Sequence, residues 1–218
     1  MKLLRALVFA ALAAPALPAL AGPLEDAMTV FAEGDYEKAA TLLAPLAAEG
    51  VNMAQHNLGV MYARGMGVQQ SWAEAMRWYR AAAEGGNAGS AHNLGVLYEL
   101  GRGTPRDPAE AAKWYLKAAD LGFAPAQNNI GALYAHGVGV PMDLVAAQMW
   151  FTLAANQGDS EAARNSASAT ASLSAAERER ALSLACQWVT AHPGYTGPVS
   201  VGTEAGFGEA GLTCPAHA

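Results

Sequence analysis

Charge is scarce in this chain of 218 residues. Only 15% of the residues are Asp, Glu, Lys or Arg, and 13 basic side chains face 19 acidic ones, a net charge of −6. A nucleic-acid-binding surface needs a basic face to neutralise phosphates, so this balance excludes that class. Cysteine is almost missing as well. Cys186 and Cys214 are the two, neither lies in a CxxC pair, and no His/Cys cluster has zinc spacing. The signatures GxSxG, SxxK and HExxH are absent. Phenylalanine is sparse, so Trp and Tyr carry most of the 8% aromatic content. What is abundant is apolar side chain, 52% of the total, which is too much for a disordered chain. Of these residues 51 are alanine, the best helix former, and alanine with scattered Trp and Tyr points to close-packed helices.

Met1–Ala21 reads as a secretory leader. Lys2 and Arg5 form a short positive start, Ala6–Ala14 is uncharged and apolar, and Ala19-Leu20-Ala21 fits a small-x-small cleavage site. Pro15 and Pro18 interrupt the run, which falls short of the ~20 residues a membrane span needs. No cysteine follows for lipid attachment, no twin arginine is present, and no later segment is apolar enough to span a bilayer. Cleavage after Ala21 leaves 11 basic and 19 acidic side chains, net −8, in a protein expected to be periplasmic or secreted and not inserted in the membrane. An oxidising compartment permits a Cys186–Cys214 bridge. In the chain-entropy model such a loop stabilises by about 3–4 kcal/mol; two unpaired thiols are the alternative.

The strongest signal is a repeat of 36 residues. Asn57-Leu58-Gly59-Val60-Met61-Tyr62 returns as Asn93-Leu94-Gly95-Val96-Leu97-Tyr98 and as Asn129-Ile130-Gly131-Ala132-Leu133-Tyr134. The same step links Gly65, Gly101 and Gly137, then Gly67, Gly103 and Gly139. It also links Trp78, Trp114 and Trp150, and Tyr79, Tyr115 and Phe151. Each unit predicts two helices. Helix A covers about Asn52–Arg64 in the first unit, where Leu58, Met61 and Tyr62 share a face. Gly65-Met66-Gly67 stops it. Ser71, Asp107 and Asp143 are N-caps for helix B, which covers about Trp72–Glu84 with Ala75, Trp78, Tyr79 and Ala82 on one side.

A glycine inside helix A costs about 1 kcal/mol relative to alanine. Its return at 59, 95 and 131 implies the close approach of another backbone. One hairpin cannot bury its own apolar face, but stacked hairpins can, so the expected product is a solenoid. The ends are degenerate. Residues 22–50 predict a shorter hairpin, Leu24–Phe31 and Tyr36–Ala48, around Gly34-Asp35-Tyr36. Residues 51–158 hold the three repeats, and residues 159–190 a weakened pair in which Ser174 and Glu177 make a capping box. Ala181, Leu184, Ala185 and Trp188 of that last helix point inward, and residues 191–218, rich in Gly and Pro, predict an irregular tail.

The unit A-x-x-N-L-G-x-x-Y-x-x-G-x-G-V, followed by A-x-x-W-Y-x-x-A-A-x-x-G, is present from Ala54 to Gly86 and twice more with small departures. It resembles the Sel-1-like repeat (SLR), a relative of the tetratricopeptide repeat. The resemblance implies an all-α, right-handed α/α superhelical solenoid. It also implies a non-catalytic adaptor or scaffold that binds a protein or extended peptide, as in envelope signalling. A cysteine-rich subset of the family implies the alternative, a hydrolase directed at cell-wall or β-lactam material. That subset carries a cysteine pair in each repeat, and none of the three repeats here contains one.

By the same resemblance helix A lines the concave groove, and Asn57, Asn93, Asn129 and Asn165 form a ladder on an extended peptide, since an amide both donates and accepts. The alternative is that these asparagines fix neighbouring helices by internal hydrogen bonds. His56, Arg64, His92, Glu99, Asn128 and His136, with Val60 and Val96, share that face. The histidines lack metal-ligand spacing. The Gly-x-Gly pairs lack the Lys-Ser/Thr of a phosphate loop, and Glu161, Glu177 and Glu179 are solvated helix carboxylates, so no cofactor, metal or catalytic group is expected.

Overall fold

The computed structural model describes residues 21–202, 205–208 and 211–215. The leader read at Met1–Ala21 lies outside them except for Ala21, where the first helix begins. The 36-residue period folds as three hairpins of 13-residue helices: α3 (Asn52–Arg64) with α4 (Trp72–Glu84), α5 (Ala88–Leu100) with α6 (Pro108–Asp120), and α7 (Ala124–His136) with α8 (Leu144–Asn156). A shorter hairpin, α1 (Ala21–Ala32) and α2 (Tyr36–Ala48), precedes them, and α9 (Ser160–Ser172) and α10 (Ala175–Ala191) follow. From α1 to α9 each helix packs on the next in sequence. The result is an all-α solenoid of helix–loop–helix repeats.

The caps are chemical. The carboxylates of Asp107 and Asp143 each accept from two backbone N–H groups at the start of α6 and α8, and Ser71 Oγ accepts from Glu74 N. Gly65, Gly101 and Gly137 close the A helices in the left-handed region, φ between 65° and 68°. Leu58 and Met61 of α3, and Ala75, Tyr79 and Ala82 of α4, are buried. The main core runs from Ala75 through the repeats to Leu212 and Cys214, and a second cluster fills the first hairpins around Leu43 and Leu46.

The glycines within the A helices meet rings, not backbone. A Cβ on Gly95 would lie 2.5 Å from Cδ1 and Cε1 of Tyr115, and Gly59 and Gly131 face Tyr79 and Phe151 in the same way. Close backbone approach occurs one turn of the unit later. Gly67 abuts Tyr36, and Gly139 abuts Pro108, the first residues of α2 and α6 in the preceding hairpins. The ring keeps the helix glycine small, and the preceding hairpin keeps the loop glycine small.

The tail differs from the expected irregular segment. Strands β1 (Val199–Gly202), β2 (Gly206–Gly208) and β3 (Gly211–Pro215) form a sheet in the order β1-β3-β2, parallel between β1 and β3 and antiparallel between β2 and β3. Gly and Pro give these strands little intrinsic preference, so tertiary anchors hold them. Cys186 in α10 is bridged to Cys214 in β3, with Cα atoms 5.4 Å apart. Asn156, buried at the end of α8, donates to the Tyr195 hydroxyl (3.0 Å) and to Pro198 O (2.8 Å) and accepts from Leu212 N (2.9 Å). Helix α10 crosses back onto α8, where Trp188 meets Trp150 edge-on at 5.9 Å.

Candidate functional site

Helices α3, α5, α7 and α9 stand in a row, joined by contacts of α3 with α5 and of α7 with α9 and by a hydrogen bond between α5 and α7, and the residues read as groove-lining all lie on this wall. Arg64 and His136, at the ends of α3 and α7, are exposed. His56, His92, Asn93, Glu99, Asn129 and Asn165 are half-buried, as are Val60 and Val96. Asn57 and Asn128 are buried, so neither presents a free amide to solvent.

The asparagines are already engaged. Asn57 Nδ2 donates to Met53 O (2.8 Å) within its own helix and approaches Met28 Sδ at 3.4 Å. Asn129 Nδ2 lies 3.2 Å from His92 Nε2, and Asn165 Nδ2 donates to Asn128 Oδ1 at 2.9 Å. Both pairs join one A helix to the next at a separation of 37 residues. The Asn93 amide faces the Tyr79 phenol and the His92 ring, and the Asn129 amide faces the Tyr115 phenol. In the third repeat the tyrosine is Phe151, which offers no oxygen, and Asn165 turns to Asn128 instead. Asn129 and Asn165 thus contribute to an inter-repeat hydrogen-bond spine, whereas Asn57 is spent within its own helix, and each half-buried amide keeps part of its donor and acceptor capacity.

The spine also recruits Ser90 and Phe123, which the sequence pattern did not single out. His56 Nδ1 lies 2.7 Å from Oγ of Ser90, a buried residue. The Tyr115 hydroxyl donates to Glu99 Oε2 at 2.6 Å. His92 packs against the rings of Tyr115 and Phe123 at 5.5 and 5.3 Å. Burial favours the neutral forms. It lowers the pKa of His56 and of His92, where the Asn93 amide and the Glu99 charge pull the other way. Burial pushes the Tyr79 phenol up to about 12 against the pull of Arg64 and Asn93. Burial, the hydrogen bond to Glu99 and its charge all raise that of Tyr115. The phenols and the two histidines thus act as neutral hydrogen-bonding groups at pH 7.

His136 and Asn165 come together at a cleft of about 200 Å³ between α7, α8 and α9, with Phe151 and Ala132 in its lining and Ser168 and Ser172 beside them. The sequence explains the opening. Thirty-six residues after Ile130, Leu133 and Tyr134 stand Ser166, Ala169 and Thr170, so α9 lacks the bulk that closes the earlier hairpins. Among the described residues no group of three His, Cys, Asp or Glu could hold a metal ion.

A family model for the Sel1 repeat matches residues 52–87, 88–123 and 124–159, the same three hairpins. The chain belongs to the Sel1 repeat family. Sel1 repeat proteins are generally protein-interaction scaffolds. The solved Sel1 repeat protein from Oxalobacter formigenes is 31% identical, with a TM-score of 0.65 over 77% of this chain and 68% of that one. The solved structure of c5321, a protective antigen present in uropathogenic Escherichia coli strains displaying an SLR fold, is 29% identical, with a TM-score of 0.67. That likeness covers 77% of this chain and 36% of the antigen, so this Sel1 chain spans about a third of it. No functionally curated protein matches the chain.

Proposed function

We propose that this Sel1 repeat protein is an exported, non-catalytic adaptor that holds a partner protein or extended peptide along the concave wall of its A helices, in envelope signalling. One observation carries the reading. Helix α10 and the tail sheet lie on α8, a B helix, while His56, His92, Asn93, Asn129 and Asn165 of the A-helix row are left half-exposed. Its partly engaged amides, Glu99, and the small-walled cleft at Phe151 offer what an extended backbone with one apolar side chain would use. Export is supported by the leader pattern of Met1–Ala21 and by the bridge between Cys186 and Cys214. No described helix is long and apolar enough to cross a membrane.

The hydrolase alternative gains nothing from the geometry, because the only two cysteines are bonded to each other at the tail. The binding reading is tested on Arg64 and His136, which the fold leaves exposed. An Arg64→Glu/His136→Glu variant is expected to fold with unchanged circular dichroism and to lose a specific partner that the wild type retains from an envelope extract. An unchanged set of partners counts against the groove. Nitrocefin turnover by the purified chain would favour the hydrolase.

A further inference from the structure

We propose that a notch between the end of α6 and the tail, lined by no A-helix residue, is a second binding site, specific for an arginine or lysine side chain of a partner polypeptide. The notch has a volume of about 270 Å³ and is lined by Asp120, Leu121, Trp188, His192, Pro193 and Tyr195 among others. No Lys or Arg lines it.

Two helices end there. Asp120 is the last residue of α6, and Ala191, the last of α10, lies in the same lining. A helix C-terminus carries partial negative charge equivalent to roughly half an electron, and two such ends line this notch together with one carboxylate. That carboxylate is exposed and has no ion-pair partner among the described residues. Its one polar contact is a long one, 3.5 Å from Trp188 Nε1. Lys117, three residues earlier on α6, is directed elsewhere, with Nζ 5.4 Å from the centre of the Trp114 ring.

The wall is built before any ligand arrives. His192 stacks on Trp188 at 4.0 Å, its ring tilted by 13°, and its Nδ1 lies 2.7 Å from Trp188 O. Tyr195 meets Trp188 edge-on at 5.6 Å, and its hydroxyl is spent on Leu153 O. Rings fixed in this way lose little freedom when a cation docks beside them. Leu121, 50% exposed, offers an apolar seat for the methylene stem of a long basic side chain. The net charge of −6 draws cationic partners to the surface.

The test uses the full chain labelled with ¹⁵N and two tripeptides, acetyl-Ala-Arg-Ala-amide and its citrulline counterpart, which keeps the shape and loses the charge. The indole N–H signal of Trp188 is assigned by its loss in Trp188→Phe. The arginine peptide is expected to shift that signal saturably, and the citrulline peptide to leave it in place. Asp120→Asn, with an unchanged melting temperature, is expected to weaken binding about tenfold, as loss of one charge-assisted contact would. Raising salt to about 0.5 M is expected to weaken binding to the wild type as well. An unmoved Trp188 signal, equal shifts from both peptides, or an Asp120→Asn titration matching wild type would each overturn the assignment.

Discussion

Replacing Gly95 by alanine separates the effect of helix propensity from that of packing. In an isolated helix the change stabilises by about 1 kcal/mol. Here the new Cβ would lie 2.5 Å from two carbons of Tyr115, a ring that is fully buried. The ring cannot swing away freely, because its hydroxyl is bonded to Glu99 at 2.6 Å. Overpacking of this kind costs about 1–3 kcal/mol, and losing the phenol–carboxylate bond adds about 1–2 kcal/mol. The net expectation is a loss of about 1–4 kcal/mol, or a fall in the melting temperature of roughly 2–4 °C for each kcal/mol lost. Urea denaturation followed by circular dichroism measures it. In a Tyr115→Ala background, where no ring stands in the way, the same substitution should be neutral or stabilising, giving a coupling of about 2 kcal/mol or more between the two sites. A Gly95→Ala protein that gained stability in the wild-type background would refute the role given to the ring.

Other perturbations follow from the anchors and the histidines. Asn156→Ala leaves Leu212 N and Pro198 O without their partner and should destabilise the tail by about 2 kcal/mol, read as faster proteolysis between residues 193 and 215 with the helices intact. Cys186→Ser together with Cys214→Ser opens the loop and should cost the C-terminal segment about 3–4 kcal/mol in the chain-entropy model, read by hydrogen exchange. His56 and His92 have folded pKa values below 6.5, so the unfolded chain takes up their protons first as the pH falls. Their contribution is present above pH 6.5 and is lost as the pH drops toward the folded values. Melting temperatures at pH 7.5 and 5.5 should therefore differ less in His56→Gln/His92→Gln than in the wild type.

The helical frame was legible because two independent signals agreed. The 36-residue period located Asn52–Arg64 and Trp72–Glu84, and glycine and Ser/Asp caps ended and began them at the observed places. The Ser174–Glu177 capping box was equally local and is present. What the sequence did not carry was the identity of long-range neighbours. Gly95 and Gly139 look alike as recurring glycines, yet one faces a ring and the other a backbone. The asparagines stand on the A helices as the period requires, but their partners depend on the spacing between hairpins. An amide aimed at a ligand and one aimed at His92 have the same pattern. The strands of the tail were illegible because Asn156 and Cys186, rather than local preference, hold them in register. The notch at Asp120 joins residues 68 apart in sequence, beyond the reach of any motif.

The central claim is that the A-helix wall is the surface that holds a partner. A photoreactive amino acid placed at Val96 or Ala132 on that wall, and at Ala109 on the exposed face of α6, tests it in the living cell. The account predicts a discrete crosslinked adduct from Val96 and Ala132 and none from Ala109. Adducts from Ala109 alone, or from none of the three positions, would contradict it.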